Sequence, residues 1–193
     1  GGMTLHEQLR DVALDEFATA GYAGTSLQRI ADLVGTSKAS VLYHYDSKER
    51  LLEAAISPAV DDLRGFVDGM GIDTFAPEKL PAFVEQFVDV LLAHRQVVHF
   101  VINQGATLED VPVVHRALEQ MRRLAEFFEL APSSTVEKLR FGIALGGAAY
   151  CLASADELGV EHAESAGELR EALITVITEL LVPTAAPATA RVD

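Results

Sequence analysis

Polar side chains that could contact a nucleic acid are concentrated between residues 25 and 52, in the run TSLQRIADLVGTSKASVLYHYDSKERLL. Their hydroxyl, amide, imidazole and ammonium groups could bind phosphates or base edges, the two kinds of contact that proteins make with duplex DNA. No Ser-His-Asp, Cys-His, paired-carboxylate or phosphate-loop arrangement stands out at a suggestive spacing. The chain is therefore expected to bind rather than to catalyse.

The same run predicts two short helices joined by a tight turn. Its apolar residues recur at helical spacing, which indicates one buried face: Leu27, Ile30, Ala31 and Val34. Thr25 and Gln28 could form a capping box at the start of the first helix, and Gly35 is suited to its end. Ser37 could cap a second helix running to His44, held by Val41 and Leu42 packing inward. A small, rigidly held helix with polar tips fits a major groove.

These residues resemble the helix-turn-helix of TetR-type transcriptional regulators. The resemblance rests on Thr25, Ile30-Ala31, Gly35, Ser37, Leu42-Tyr43, Lys48 and Leu51-Leu52, and it covers roughly residues 5 to 56. Tyr45 departs from the pattern, because the family usually has Phe there, but an aromatic core residue is retained. The resemblance implies an all-α fold: a three-helix DNA-binding domain, followed by a helical domain for ligand binding and dimerisation.

The resemblance also implies which residues meet DNA. The expected set is Thr25, Gln28, Thr36, Ser37, Lys38, Ser40, Tyr43, His44 and Lys48. Gln28 and Ser40 are expected to read base edges. Phosphate or groove contacts are expected of Thr36, Ser37, Lys38, Tyr43, His44 and Lys48. Two alternatives stay open: Gln28 could serve the capping box instead, and Tyr43 and His44 could lie partly in the core.

The net charge of −14 argues at first against a nucleic-acid partner. The acidity is unevenly distributed, however, because residues 3–50 have a net charge of −2 and residues 51–193 a net charge of −12. Few basic groups predict weak non-specific binding and a shallow salt dependence. One cysteine and no apolar run of the ~20 residues needed to cross a membrane suit a cytoplasmic protein.

The rest of the chain shows helical periodicity and no β pattern, so about nine helices are expected in all. The predicted domains are residues 3–50 for DNA binding, 51–182 for ligand binding and dimerisation, and 183–193 as a flexible tail after a helix ended by Pro183. Pro58 predicts a kink or break at residues 54–58. It could be a hinge that transmits a ligand signal or a simple adjustment of shape.

Aromatic and flexible apolar residues on the central helices suggest a small-molecule cavity, although each could be ordinary core. The expected ligand-binding residues are Phe66, Met70, Phe87, His99, Phe100, Asn103, Gln104, Met121 and Phe128. No cofactor is expected. No metal is expected either, because His94 and His99 are five residues apart, a poor helical spacing for one ion.

Residues 135–154 are apolar almost all round, so one side is expected to face a second copy rather than a monomer core. With residues 165–181 they predict a four-helix homodimer interface that includes Phe141, Leu145, Ala149, Leu173, Ile177 and Leu180. The prediction is thus a homodimeric repressor released from a palindromic operator by a small hydrophobic or amphipathic ligand. The alternative is a regulator whose helical body responds to a protein or peptide.

Overall fold

The computed structural model describes residues 1–129, 133–160 and 165–185, and the regular structure in these ranges is entirely helical. The helices are α1 (Leu5–Thr19), α2 (Leu27–Val34), α3 (Lys38–Tyr45), α4 (Lys48–Asp68), α5 (Leu80–Ala93), α6 (Arg95–Gln104), α7 (Pro112–Glu129), α8 (Thr135–Ala153), α9 (Ala155–Leu158) and α10 (Ala166–Ala185). The expected all-α class is confirmed. Within the described ranges, no helix is both long enough and apolar enough to cross a membrane.

Helices α1, α2 and α3 form the N-terminal unit, and local sequence sets each boundary. Thr4 and Glu7 form a capping box at the start of α1. Gly35 ends α2 with φ +82°, a left-handed conformation that glycine adopts without strain. Ser37 caps α3 by accepting a hydrogen bond from the Ser40 backbone N–H, as predicted.

Two predicted details of this unit are wrong. Ser26, not Thr25, caps α2, because its hydroxyl accepts the Arg29 N–H at 3.0 Å. Leu42 does not pack inward, since 37% of its surface is exposed. The 3.6-residue period places Val41 and Tyr45 together on the buried side of α3, and Leu42 lies outside that stripe.

Helix α4 continues through Pro58, so the chain is not broken at residues 54–58, where the proline predicts a kink or a break. Ser57 donates its hydroxyl to the Glu53 carbonyl at 2.6 Å, one turn back. Such back-bonds occupy a helix carbonyl and often accompany a bend rather than a break. A single unbroken helix therefore leads from the end of α3 deep into the body.

The body comprises α5 to α10 and the greater part of α4. Ser134 and Glu137 form a capping box at the start of α8, and Ser165 caps α10 by accepting the Glu168 N–H. Helix α10 runs to Ala185, so Pro183 does not end it. Most of the predicted tail, residues 186–193, lies outside the described residues.

Two apolar cores run through the described residues. The first joins α1, α2 and α3 to α4, α6 and α7, with Phe17, Ile56 and Phe100 fully buried. The second joins α5, α7, α8 and α10 around Phe83, Phe128 and Phe141. Because the first core crosses residue 50, the N-terminal unit and the body share a packed interior.

The predicted dimer residues lie on the inward side of their helices. Phe141, Leu145 and Ile177 are buried in the second core, and Ala149, Leu173 and Leu180 pack against it. The apolar residues that remain exposed form what we call the outer apolar face: Val136, Leu139, Ile143 and Tyr150 on α8, with Val176 and Val182 on α10. A helix that is apolar all round has two candidate faces, and periodicity does not say which of them the chain itself covers.

Candidate nucleic-acid interface and ligand cavity

Helix α3 is short, so its position depends on its buried side. Val41 is fully buried, and Tyr45 is 6% exposed. The Tyr45 hydroxyl donates to the His6 carbonyl at 2.6 Å, and its ring stacks on the His6 imidazole with centroids 4.4 Å apart. Burial raises the pKa of Tyr45, which keeps its hydroxyl a donor. These contacts fix α3 against α1.

The opposite side of α3 faces outward. Tyr43 is 84% exposed, and Lys38 and Ala39 are exposed beside it. Ser40 and His44 are half-buried, and so is Thr36, whereas Ser37 at the start of the helix is exposed. Lys38 is the one formal positive charge on α3. Seven of the nine predicted DNA-binding residues therefore lie on or next to this short helix, if Lys48 just beyond its end is included.

Ala39 and Leu42 also lie on the exposed side of α3, and the sequence reasoning missed both. Small apolar side chains on a recognition helix can contact the methyl group of thymine. The period of 100° per residue already groups Ala39, Leu42 and Tyr43, so a stricter reading of that periodicity could have found them.

Two predicted DNA-binding residues are engaged elsewhere. Thr25 is 2% exposed, and its hydroxyl donates to the Gly21 carbonyl at 2.7 Å, so its side chain is not available to DNA. Gln28 forms no capping box. It is exposed on α2 and donates to Asp32 at 2.8 Å, which leaves its amide at the surface.

Lys48 packs over the Tyr22 ring, with its ammonium 4.2 Å from the ring centroid. Partial burial lowers the pKa of Lys48. A cation held over an aromatic face is less mobile than a free lysine. Lys48 is therefore a positively charged group held in place at the start of α4, just past the end of α3.

A cavity of about 340 Å³ lies in the body, lined by α4, α5, α6, α7 and α8. Its walls are almost wholly apolar, with contributions from Leu63, Phe87, Val98 and Met121. It reaches the surface where Ile102, Met121 and Gly146 are exposed. A concave apolar site of this volume suits a small molecule.

Of the predicted ligand-binding residues, the structure places only Phe87 and Met121 in this cavity wall. Phe66, Met70 and Phe128 belong to the second core, and Phe100 is fully buried in the first. His99 bonds to the Ala153 carbonyl at 2.8 Å, and Asn103 donates to His99 within its own helix. The aromatic content of a helix does not distinguish residues that line the cavity from residues of the core, because both sets are apolar and lie on helices.

Gln104 lies at the junction of the two units instead of in the cavity. Its Nε2 donates to the Phe17 carbonyl at 2.8 Å, and its Oε1 accepts the Tyr22 N–H at 2.8 Å. Phe17 lies in the last turn of α1, and Tyr22 lies in the segment between α1 and α2. Gln96 at the other end of α6 donates to Asp15 of α1 at 3.0 Å. Helix α6 therefore holds α1 at two points while Val97, Val98, Val101 and Ile102 line the cavity.

The described residues contain no group of three or more His, Cys, Asp and Glu side chains placed to hold a metal ion. What they contain is an exposed short helix in a helix-turn-helix, joined by packed helices to a body with an apolar cavity. Those features are typical of proteins in which a helix-turn-helix is joined to a helical body.

Comparison with known proteins finds a family match in the N-terminal part of the chain. Residues 9–55 match the family model described as bacterial regulatory proteins, tetR family. The transcriptional regulator RutR of Escherichia coli K12 is 45% identical over 49 residues, covering 25% of this chain and 23% of RutR. The negative regulator IcaR of the biofilm operon icaADBC in Staphylococcus aureus is 35% identical over 63 residues, covering 33% of this chain and 34% of IcaR. The chain thus matches about a quarter to a third of the length of these relatives.

The likeness in structure extends over the whole chain. SCO3833 of Streptomyces coelicolor, a member of the TetR transcriptional regulator family, superposes with a TM-score of 0.65 at 26% identity, covering 93% of this chain and 90% of SCO3833. Residues 9–55 thus match the TetR family, and the fold of the chain is similar to that of a TetR-family regulator.

Proposed function

We propose that the chain binds a two-fold symmetric operator as a homodimer and represses transcription until a small apolar molecule fills its cavity. The exposed side of α3, with Lys38, Ala39, Leu42 and Tyr43, is the surface that would enter the major groove. Ser40 and His44 lie on the same helix, Thr36 and Ser37 precede it and Lys48 follows it, while Gln28 is exposed on α2. Repression is supported by the likeness to IcaR, whose name describes a negative regulator.

The outer apolar face supports the dimer. Leu139, Ile143 and Tyr150 are each more than half exposed on α8, and Val176 on α10 is 54% exposed. Burial of such a face against a second copy removes apolar surface from water. A two-fold dimer also presents two copies of α3 to a palindrome.

One observation carries the link between ligand and DNA: α6 is both a wall of the cavity and the support of α1. Its valines line the cavity, and its terminal Gln104 bonds to two backbone groups of the DNA-binding unit. A ligand that moves α6 must move or strain those bonds. The spacing of the two α3 helices would then no longer match successive major grooves, and operator affinity would fall.

The cavity favours a small molecule over a peptide as the effector. A peptide-binding body would offer a groove along its surface, whereas this cavity lies between five helices and its lining is apolar. The alternative of a protein or peptide effector therefore has less support.

Selection of bound duplexes from a random DNA pool tests the proposal. Recovery of an inverted repeat is the expected result and supplies an operator for effector screening. Recovery of unrelated sequences or of direct repeats, by protein refolded free of bound ligand, would overturn the dimeric operator-binding part of it.

A further inference from the structure

His94 is the one ionisable side chain in the described lining of the cavity. It stands at the junction of α5 and α6, where it ends one helix and precedes the other. Its side chain is 18% exposed. The remaining lining consists of aliphatic, aromatic, methionine and glycine residues, so a ligand in the cavity meets one polar side chain.

Asp62 of α4 fixes which nitrogen of that ring donates a hydrogen bond. The His94 Nε2 lies 2.6 Å from the Asp62 carboxylate. A carboxylate accepts hydrogen bonds, so Nε2 is the nitrogen that carries the proton. Within the described part of the chain Nδ1 has no hydrogen-bond partner, and in the neutral ring it is an acceptor. It therefore suits a ligand that donates a hydrogen bond, such as a hydroxyl group.

The charge around the cavity disfavours an anionic ligand. No lysine or arginine is among the lining residues, and the one basic ring is already paired with Asp62. A carboxylate buried without a partner of opposite charge loses its hydration and gains little in return. Asp62 would also repel it.

Size limits the ligand further. If each heavy atom takes about 30 Å³, as a water molecule does in the liquid, the cavity holds roughly eleven of them. That is the size of a two-ring aromatic or of a ten-carbon chain with one substituent.

From these observations we propose that the effector is an uncharged, largely hydrocarbon molecule whose single hydroxyl group donates to His94. The proposal deepens the function given above and depends on the cavity being the effector site. It specifies the ligand class: neutral donors are accepted and anions of the same skeleton are rejected.

Four compounds test the proposed ligand class on the full chain at neutral pH: naphthalene and its derivatives naphthol, methoxynaphthalene and naphthoate. They share a ring system of the right size and differ only in the substituent. The chain has no tryptophan, so probe emission can be followed directly. Naphthol is expected to bind roughly threefold to tenfold more tightly than methoxynaphthalene, which cannot donate. Naphthoate is expected to bind at least about tenfold more weakly than naphthol.

Two variants with matched controls test the roles of the His94 ring and the Asp62 carboxylate. His94→Phe keeps an aromatic ring and should abolish the advantage of naphthol over methoxynaphthalene while leaving naphthalene binding within about twofold. His115→Phe, an exposed residue of α7 outside the cavity, should change nothing. Asp62→Asn should improve naphthoate binding, whereas Asp61→Asn, whose carboxylate pairs with Arg64, should not.

The outcomes separate the two proposals. If naphthalene binds but naphthoate binds as well as naphthol, or if His94→Phe leaves the naphthol advantage intact, the assignment of the ligand class is wrong and the cavity remains a binding site. If naphthalene and its derivatives all fail to bind, the cavity takes no ligand of this size, and both the ligand class and the proposed effector site are overturned.

Discussion

Two tyrosines two residues apart on α3 have opposite environments. Tyr43 is 84% exposed, whereas Tyr45 is 6% exposed and donates to the His6 carbonyl. A pair of Tyr→Phe substitutions removes one hydroxyl from each environment without changing side-chain packing. The pair can thus separate DNA contact from stability.

Tyr45→Phe is expected to lower the free energy of unfolding by about 1 kcal/mol, because the His6 carbonyl loses its donor. For a chain of this size that lowers the melting temperature by about 2–4 °C. Tyr43→Phe should leave the melting temperature unchanged and weaken operator binding by about fivefold per protomer. Thermal denaturation and fluorescence anisotropy measure the two effects. A loss of stability in Tyr43→Phe, with operator affinity intact, would contradict the assignment of α3's outer side to DNA.

At the scale of the element, α6 connects the cavity to α1. Gln104, at the end of α6, hydrogen-bonds to Phe17 and Tyr22, which lie more than eighty positions earlier in the chain. Neighbouring Asn103 bonds only within α6, to His99. The two amides therefore form a matched pair, one at the domain junction and one not.

Gln104→Leu is expected to speed amide hydrogen exchange around residues 17–25 and to weaken operator binding roughly threefold to tenfold, because the Tyr22 N–H and the Phe17 carbonyl lose their partner. Asn103→Leu should do neither. Hydrogen exchange by mass spectrometry, with operator titration, provides the measurement. Equal effects of the two substitutions would show that Gln104 has no special role in holding the DNA-binding unit.

The proposed homodimer depends on the outer apolar face of α8. Ile143→Asp on the outer apolar face should yield a monomer at micromolar concentration, because a carboxylate in an apolar interface loses hydration without gaining a partner. Ile72→Asp is the control, since Ile72 is fully exposed and lies outside that face. Sedimentation velocity distinguishes monomer from dimer. A monomeric parent protein, or a dimeric Ile143→Asp variant, would refute the proposed interface.

At the scale of the whole molecule, charge shapes DNA binding. The chain carries a net charge of −14, and residues 51–193 hold most of it. The acidic body is expected to repel DNA, which favours an approach of the duplex through the surface around α3. Specific binding should depend on a few phosphate contacts.

Operator affinity is accordingly expected to fall only gently with salt. Lys38→Ala removes one cation from each half-site and should reduce the slope of log K against log salt by about 1.8 for the dimer. Lys79→Ala, whose ammonium pairs with Asp73 in the body, should leave the slope unchanged. Titrations across a salt series provide the test. An unaltered slope in Lys38→Ala would mean that Lys38 meets no phosphate.

The sequence by itself determined the helices, the helix-turn-helix and the family resemblance. These depend on local rules: Gly35 can adopt a positive φ, Ser37 and Ser134 can cap, and apolar residues recur every three or four positions. Such information lies within one or two helical turns. It sufficed for the all-α fold and for most of the residues around α3.

Only the tertiary structure decided which face of each helix is used. Phe141, Leu145 and Ile177 lie in the core and not on the outer apolar face. Gln104 lies at the junction of the two units and not in the cavity, and Asp62 is within hydrogen-bonding distance of His94. Each of these placements depends on a neighbour dozens of residues away in the chain. Periodicity records that a helix has an apolar side; it does not record what that side will meet.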